Sequence, residues 1–171
     1  VLPVLWALTC HEYAHGWMAY RCGDDTAWRS GRLTLNPLAH LDPLGTLAFL
    51  LIGFGWARPV PIDPRQFRQP RMDDIKVSLA GVAANLVSAV FFALLIRLIL
   101  ATPLLRMGGA TLLVQLLSMG VTINLILLFF NLIPIPPLDG SHVLRELLPL
   151  EWQATYDRTV QPYGRYVLLA L

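Results

Sequence analysis

The chain has 171 residues, of which 56% are hydrophobic and only 14% charged, and its formal net charge is +2. Its mean hydropathy is +0.57, whereas an ordinary soluble domain carries about 25% charged residues. A soluble globular enzyme is therefore excluded in favour of an integral membrane protein, with the lipid bilayer as a partner and no nucleic acid expected.

In chain order, Val1 to about Tyr20 reads as a first membrane span, but it carries Cys10-His11-Glu12-Tyr13-Ala14-His15 in its middle. The run is too long, too ionisable and too poor in early basic residues for a cleaved signal peptide. Arg21 to Asp25 marks its exit from the bilayer, and Asp25 to Gly31 suits one short surface helix capped by Asp25 and stopped by Gly31. Arg32 to Pro43 alternates briefly, giving weak strand character. Leu44 to Ala57 is apolar but, at about 21 Å as a helix, too short for a hydrocarbon core of about 30 Å, so it reads as re-entrant or interfacial.

The loop from Arg58 to Arg71 contains four prolines, which rule out regular helix there. Helix resumes at Met72 or Asp73 and becomes a second span from about Val77 to Ala101; a connection around Pro103 to Gly109 leads to a third, about Thr111 to Ile133. Pro134 to Gly140 breaks it. Ser141 to Leu148 suits a short helix, Pro149 to Tyr163 a polar surface stretch, and residues 164–171 the start of another helix. The fold class expected is all-α, with a three-span core and possible short β-strands between the first two spans. The whole of 1–171 reads as one integral membrane domain whose apolar ends suggest further spans outside it. Cys10 and Cys22 would lie about 18 Å apart on one helix, too far for a disulfide.

Chemistry concentrates in the first span. Residues four apart on a helix lie about 40° from each other around the axis, so His11 and His15 face the same way and could grip one metal ion, while Glu12, about 100° away, could reach a water on that ion. This is the zincin arrangement of two histidine ligands and a glutamate base. The bland alternative is a pair of interior histidines hydrogen-bonded to neighbouring helices. Each ionisable group in a span costs about 2.5–3.5 kcal/mol to insert, and a divalent cation compensates all three at once. A third ligand is needed; the candidates are Asp139, His142, His40 and Asp42. Asp139 is preferred, because it follows the third span in a proline-rich break where irregular backbone lines a cavity, while His40 and Asp42 suit loop structure. Two imidazoles and a carboxylate favour zinc.

Topology bears on the same choice. If the 44–57 segment does not cross, 11 of the 13 Lys and Arg residues share one side, which the positive-inside rule makes cytoplasmic. Asp139 then emerges on the side towards which the first span runs, with His15 about 10 Å short of it. A metal transporter would need polar residues relayed across the bilayer, yet the second span offers only Asn85 and Arg97. A non-catalytic scaffold of the same fold would not need both the ligands and Glu12.

His11-Glu12-Tyr13-Ala14-His15, the loop Gly31-Arg32-Leu33-Thr34-Leu35-Asn36-Pro37, and Asn131-Leu132-Ile133-Pro134-Ile135-Pro136-Pro137-Leu138-Asp139-Gly140 together resemble the site-2 protease family of intramembrane zinc metalloproteases, peptidase family M50, in a compact form without a PDZ domain. The resemblance implies a three-helix catalytic core, one zinc held by His11, His15 and Asp139, Glu12 activating the water, and Asn131 near the oxyanion. It further implies transmembrane protein substrates cut within or near their spans, in regulated intramembrane proteolysis, by a multi-pass protein of a bacterial-type plasma membrane with its site towards the cytoplasm. Gly81-Val82-Ala83-Ala84-Asn85 has valine where the family's middle helix commonly has proline, and Asn85 reads as a helix-packing residue. A helical substrate would have to unwind, and an exposed strand edge within Leu33 to Val60 could receive it.

Overall fold

The computed structural model describes residues 1–52, 57–102 and 110–170, and these form eight α-helices with no β-strand among them. Three are long: α1 (Leu2–Cys22), α4 (Pro70–Leu100) and α5 (Ala110–Asn131). Each packs against the other two. Between α1 and α4 lie the short helices α2 (Thr26–Arg29) and α3 (Pro43–Ile52) and two 3-10 turns, Pro37–His40 and Pro64–Gln66. After α5 come α6 (Asp139–Leu147), α7 (Leu150–Thr159) and α8 (Gln161–Ala170).

The long helices invert the soluble pattern. Helix α4 buries Ser78, Gly81, Asn85 and Ser88 and turns Val87, Val90, Leu94 and Leu98 outward; α5 buries Gly120 and Asn124 and exposes Leu112, Met119, Ile126 and Phe129. Both are long and apolar enough to cross a membrane, with only 33% and 17% of their most apolar windows buried. A soluble core helix would hide that surface. In lipid there is no hydrophobic gain in hiding it, so small and polar residues take the interface. Helix α1 is long enough to cross, but His11, Glu12 and His15 lower its hydropathy.

Local chemistry explains where the elements start and stop. Helix α1 ends at Gly23, whose φ of 114° is left-handed and costs a glycine little. The capping expected of Asp25 falls to its neighbour: Asp24 Oδ1 accepts the Thr26 N–H at 2.9 Å, while Asp25 pairs with Arg29 one turn on. Helix α4 begins at Pro70, two or three residues earlier than expected, since a first-turn proline loses no hydrogen bond. Asp73 then reaches back to accept the Gln69 N–H at 2.8 Å.

The weak strand character between Arg32 and Pro43 does not become a strand. Pro37 opens a 3-10 turn instead, and the described residues keep only an isolated antiparallel bridge, Leu41 with Ala57. That bridge, with Arg58 N–H donating to the His40 carbonyl at 2.8 Å, brings the two ends of the α3 excursion together. The chain thus leaves and returns at one place, and the ten residues of α3 could reach only about 15 Å. The expected connection at 103–109 lies outside the described residues. Towards the end, α6 starts at Asp139 itself rather than at Ser141, and the stretch expected to be polar surface is helical as α7 and the first turn of α8.

Helix α6 is held from both sides. Arg71, in the first turn of α4, donates to the carbonyls of Glu146 and Leu148, satisfying the exposed end of α6 as an arginine near a helix C-terminus does. Arg145 forms a two-pronged bond to Asp157 of α7, both distances 2.8 Å. If the outward faces of α4 and α5 meet lipid, Val87→Arg or Met119→Arg should each disfavour insertion by about 2.5–3.5 kcal/mol, read in a membrane-insertion reporter assay. Trp152→Arg on α7 should leave insertion unchanged.

Candidate metal centre

His11 and His15, one turn apart on α1, are 6% and 8% exposed, and their rings meet edge to face with centroids 4.5 Å apart. The Nε2 atoms approach to 2.9 Å. Asp139 Oδ2, from the first turn of α6, lies 3.3 Å from His11 Nε2 and 3.4 Å from His15 Nε2. Those three side chains form the potential metal-binding group found among the described residues.

The outer nitrogens show why this trio needs a cation. His15 Nδ1 lies 2.7 Å from the Val77 carbonyl, and a carbonyl can only accept, so this nitrogen carries the proton. His11 Nδ1 lies 2.7 Å from Asn85 Oδ1, which requires the same tautomer. A neutral imidazole protonated at Nδ1 has a bare Nε2. Two lone pairs therefore face each other and a carboxylate oxygen that has no hydrogen-bond donor. Burying three such acceptors together is costly unless a cation is shared. Tetrahedral zinc with bonds of about 2.0–2.1 Å sets its ligand atoms about 3.3–3.4 Å apart, close to two of the three separations. The donor set and spacing fit zinc.

A cavity of about 340 Å³ opens beside the trio and is lined by Glu12, Val60, Asn131, Asp139 and His142, among others. Glu12 Oε2 accepts the Val60 N–H at 2.9 Å. The Val60 segment is itself anchored to the end of α1, where buried Asp24 Oδ2 accepts the Asp63 N–H at 2.7 Å and Arg68 N–H donates to the Cys22 carbonyl at 3.1 Å. Asn131, in the last turn of α5, donates from Nδ2 to the Leu127 carbonyl at 3.0 Å, which leaves that amide a second N–H.

The rival ligands lie elsewhere. His142 lines the cavity, but its Nδ1 sits 3.5 Å from Asp74 Oδ2, whose hydrogen bond raises the His142 pKa. His40 Nε2 donates to the Thr34 carbonyl at 2.8 Å, and Asp42 Oδ1 accepts the Gly45 N–H at 2.8 Å, so both hold loops. Cys10 borders a separate apolar cavity of about 390 Å³ with Leu2, Trp6, Leu35 and Phe92. Both cysteines are free.

The roles of two residues in the Gly81–Asn85 pattern escaped the sequence reading. Asn85 does more than pack, because it fixes the His11 tautomer. Gly81 lets the α4 backbone approach the rings: a Cβ there would stand 2.6 Å from Cε1 of both His11 and His15. The signal was the glycine and the asparagine one turn apart, which reveal their roles only once the rings lie opposite them.

The family model described as peptidase family M50 matches residues 106–171, the part that carries Asn131 and Asp139. The "Putative zinc metalloprotease YwhC" of Bacillus subtilis is 42% identical over 172 residues, covering 100% of this chain and 78% of that protein. The "Putative zinc metalloprotease Rip2" of Mycolicibacterium smegmatis is 36% identical over 156 residues, covering 87% of this chain and 57% of the relative. The "Putative zinc metalloprotease MJ0611" of Methanocaldococcus jannaschii is 30% identical over 135 residues, 79% of this chain and 63% of its own length. The chain thus spans less than two thirds of the last two. No solved structure matches it.

Gly81→Ala should push a methyl group into the two rings and lower zinc affinity at least tenfold, about 1.4 kcal/mol, measured by chelator competition. Helix content by circular dichroism should be unchanged.

Proposed function

Because the chain belongs to peptidase family M50, we propose that it is a zinc metalloprotease that cuts transmembrane protein substrates within or near their spans, with one zinc held by His11, His15 and Asp139. The observation that carries this reading is the meeting of three bare acceptors from α1 and α6 beside a cavity that Glu12 and Asn131 also line. We place the chain in a bacterial-type plasma membrane as one multi-pass domain, with α1, α4 and α5 as its three crossings and the site towards the cytoplasm. Support comes from the grouping of basic residues and from the paired ends of the α3 excursion, which favour its return to one side.

When bound, zinc supplies a Lewis acid that polarises a peptide carbonyl and acidifies water to a pKa near about 7. Glu12 is the general base: one carboxylate oxygen is held by the Val60 N–H, and the other is available to take the proton from the attacking water and return it to the leaving amine. Asn131 offers its second amide N–H to the negative charge that develops on the carbonyl oxygen, an interaction worth about 2.7–4 kcal/mol in soluble enzymes. Asp139 and the two imidazoles hold the reacting centre below the surface, where such interactions are less screened.

A membrane substrate is supported by the apolar cavity of about 390 Å³ between α1, α4 and α5, which offers apolar side chains a place. The reception of an unwound peptide by strand pairing has lost its support, since the described residues from Leu33 to Val60 hold no strand.

Cleavage of a tagged single-span reporter, co-reconstituted with the purified protein, tests the assignment. Glu12→Gln keeps an oxygen for the Val60 N–H, so it should retain zinc in equal stoichiometry while cutting at least a hundredfold more slowly. Asp139→Ala should lose both zinc and cleavage; stoichiometric zinc in that variant would overturn the ligand set.

A further inference from the structure

A chain of buried amides connects His11 to a helix that supplies no ligand. We propose that Asn124, on α5, is a positioning residue for the metal centre that acts through Asn85 on His11. The proposal rests on the metal-binding reading above.

Both asparagines are 0% exposed, and their bonds run in one direction. The Gly120 carbonyl can only accept, so the Asn124 Nδ2 that lies 2.8 Å from it is a donor. This turns Asn124 Oδ1 towards Asn85, whose Nδ2 donates to it at 3.0 Å and to the Ala7 carbonyl at 3.3 Å. Asn85 Oδ1 is thereby left for His11 Nδ1 at 2.7 Å. Reversing either amide would set donor against donor or acceptor against acceptor. A backbone carbonyl of α5, acting through Asn124, thus joins the Ala7 carbonyl of α1 in setting which nitrogen of the His11 ring carries the proton.

His15 shows why the relay is needed. Its ring is oriented directly by the Val77 carbonyl, a group that has no alternative role. His11 faces a side-chain amide, which by itself could present either its oxygen or its nitrogen. With the nitrogen turned inward, His11 would be protonated at Nε2 and could not ligate. Two acceptors remove that ambiguity, the Ala7 carbonyl at 3.3 Å and Asn124 Oδ1 at 3.0 Å, and Asn124 is assigned the larger share because its bond is the shorter. Helix α5 comes near enough because Gly120 has no side chain: a Cβ there would stand 2.7 Å from the Phe92 ring of α4. Outer partners of metal-bound histidines typically contribute 10–100-fold to affinity.

The test compares zinc affinity by chelator competition for the purified full chain in nanodiscs, as wild type, Asn124→Leu, Asn85→Leu, the double variant and His11→Ala. Asn124→Leu should bind zinc at least tenfold more weakly, and the double variant no more weakly than Asn85→Leu, since one residue acts through the other. In the metal-free protein, imidazole ¹⁵N shifts should report one His11 tautomer for wild type and a mixture for Asn124→Leu. Additive losses, wild-type affinity or an unchanged tautomer would overturn the relay. Asn124→Ala carries the same comparison if the leucine variant does not fold. Stoichiometric zinc in His11→Ala would overturn the metal reading itself, whereas its loss there beside wild-type affinity in Asn124→Leu would overturn only the relay.

Discussion

Three bare acceptors held within a few ångströms of one another, in surroundings with little water, are the constraint to which the rest of this protein answers. Two imidazole lone pairs and a carboxylate oxygen repel until a cation joins them. The helix that carries the imidazoles is correspondingly the least apolar of the three long ones. The structure accepts that cost and then removes each alternative by which the groups could satisfy themselves locally. Val77 and Asn85 hold the outer nitrogens as donors, which keeps the inner nitrogens from bonding each other as donor and acceptor. No donor reaches the facing oxygen of Asp139.

Holding such a group in place needs short distances between backbones, and the helix interfaces supply them. Gly81 allows α4 against the rings, and Gly120 allows α5 against α4. Small and polar residues are prominent at these contacts, while many leucines, with Val87, Val90 and Phe129, face outward. In water that distribution would be unstable; in lipid, packing and hydrogen bonds between helices provide the association energy instead. The buried asparagines therefore join the long helices and hold the His11 ring at once.

Asp139 reaches the histidines from outside the long-helix bundle, so its position depends on α6. That short helix is fastened at its far end by Arg71 of α4 and sideways by the Arg145–Asp157 pair to α7. The loop before α4 is fastened in a similar manner by Asp24, and it brings the Val60 N–H to Glu12. Asp139 and the backbone N–H that holds Glu12 thus sit on different short segments, each tied by a charged side chain to the end of a long helix.

The local sequence was enough to determine the membrane setting, the long helices, the paired histidines with a glutamate offset by one residue, and the carboxylate after a proline-rich break. Those signals depend on composition, on the 3.6-residue period and on the exclusion of proline from helix interiors, and all act within a turn or two. It was not enough for the ends of several elements, for α7, or for the absent strand near Arg32, where one hydrogen bond or one proline decided between similar local energies. Only the tertiary structure brought Asp139 rather than His142 to the rings, and only it set Gly81 against those rings and Asn85 and Asn124 in one hydrogen-bonded chain. A glycine without a side chain and an amide with two opposite faces carry no preference of their own; what they do is set by the atoms that the fold places opposite them.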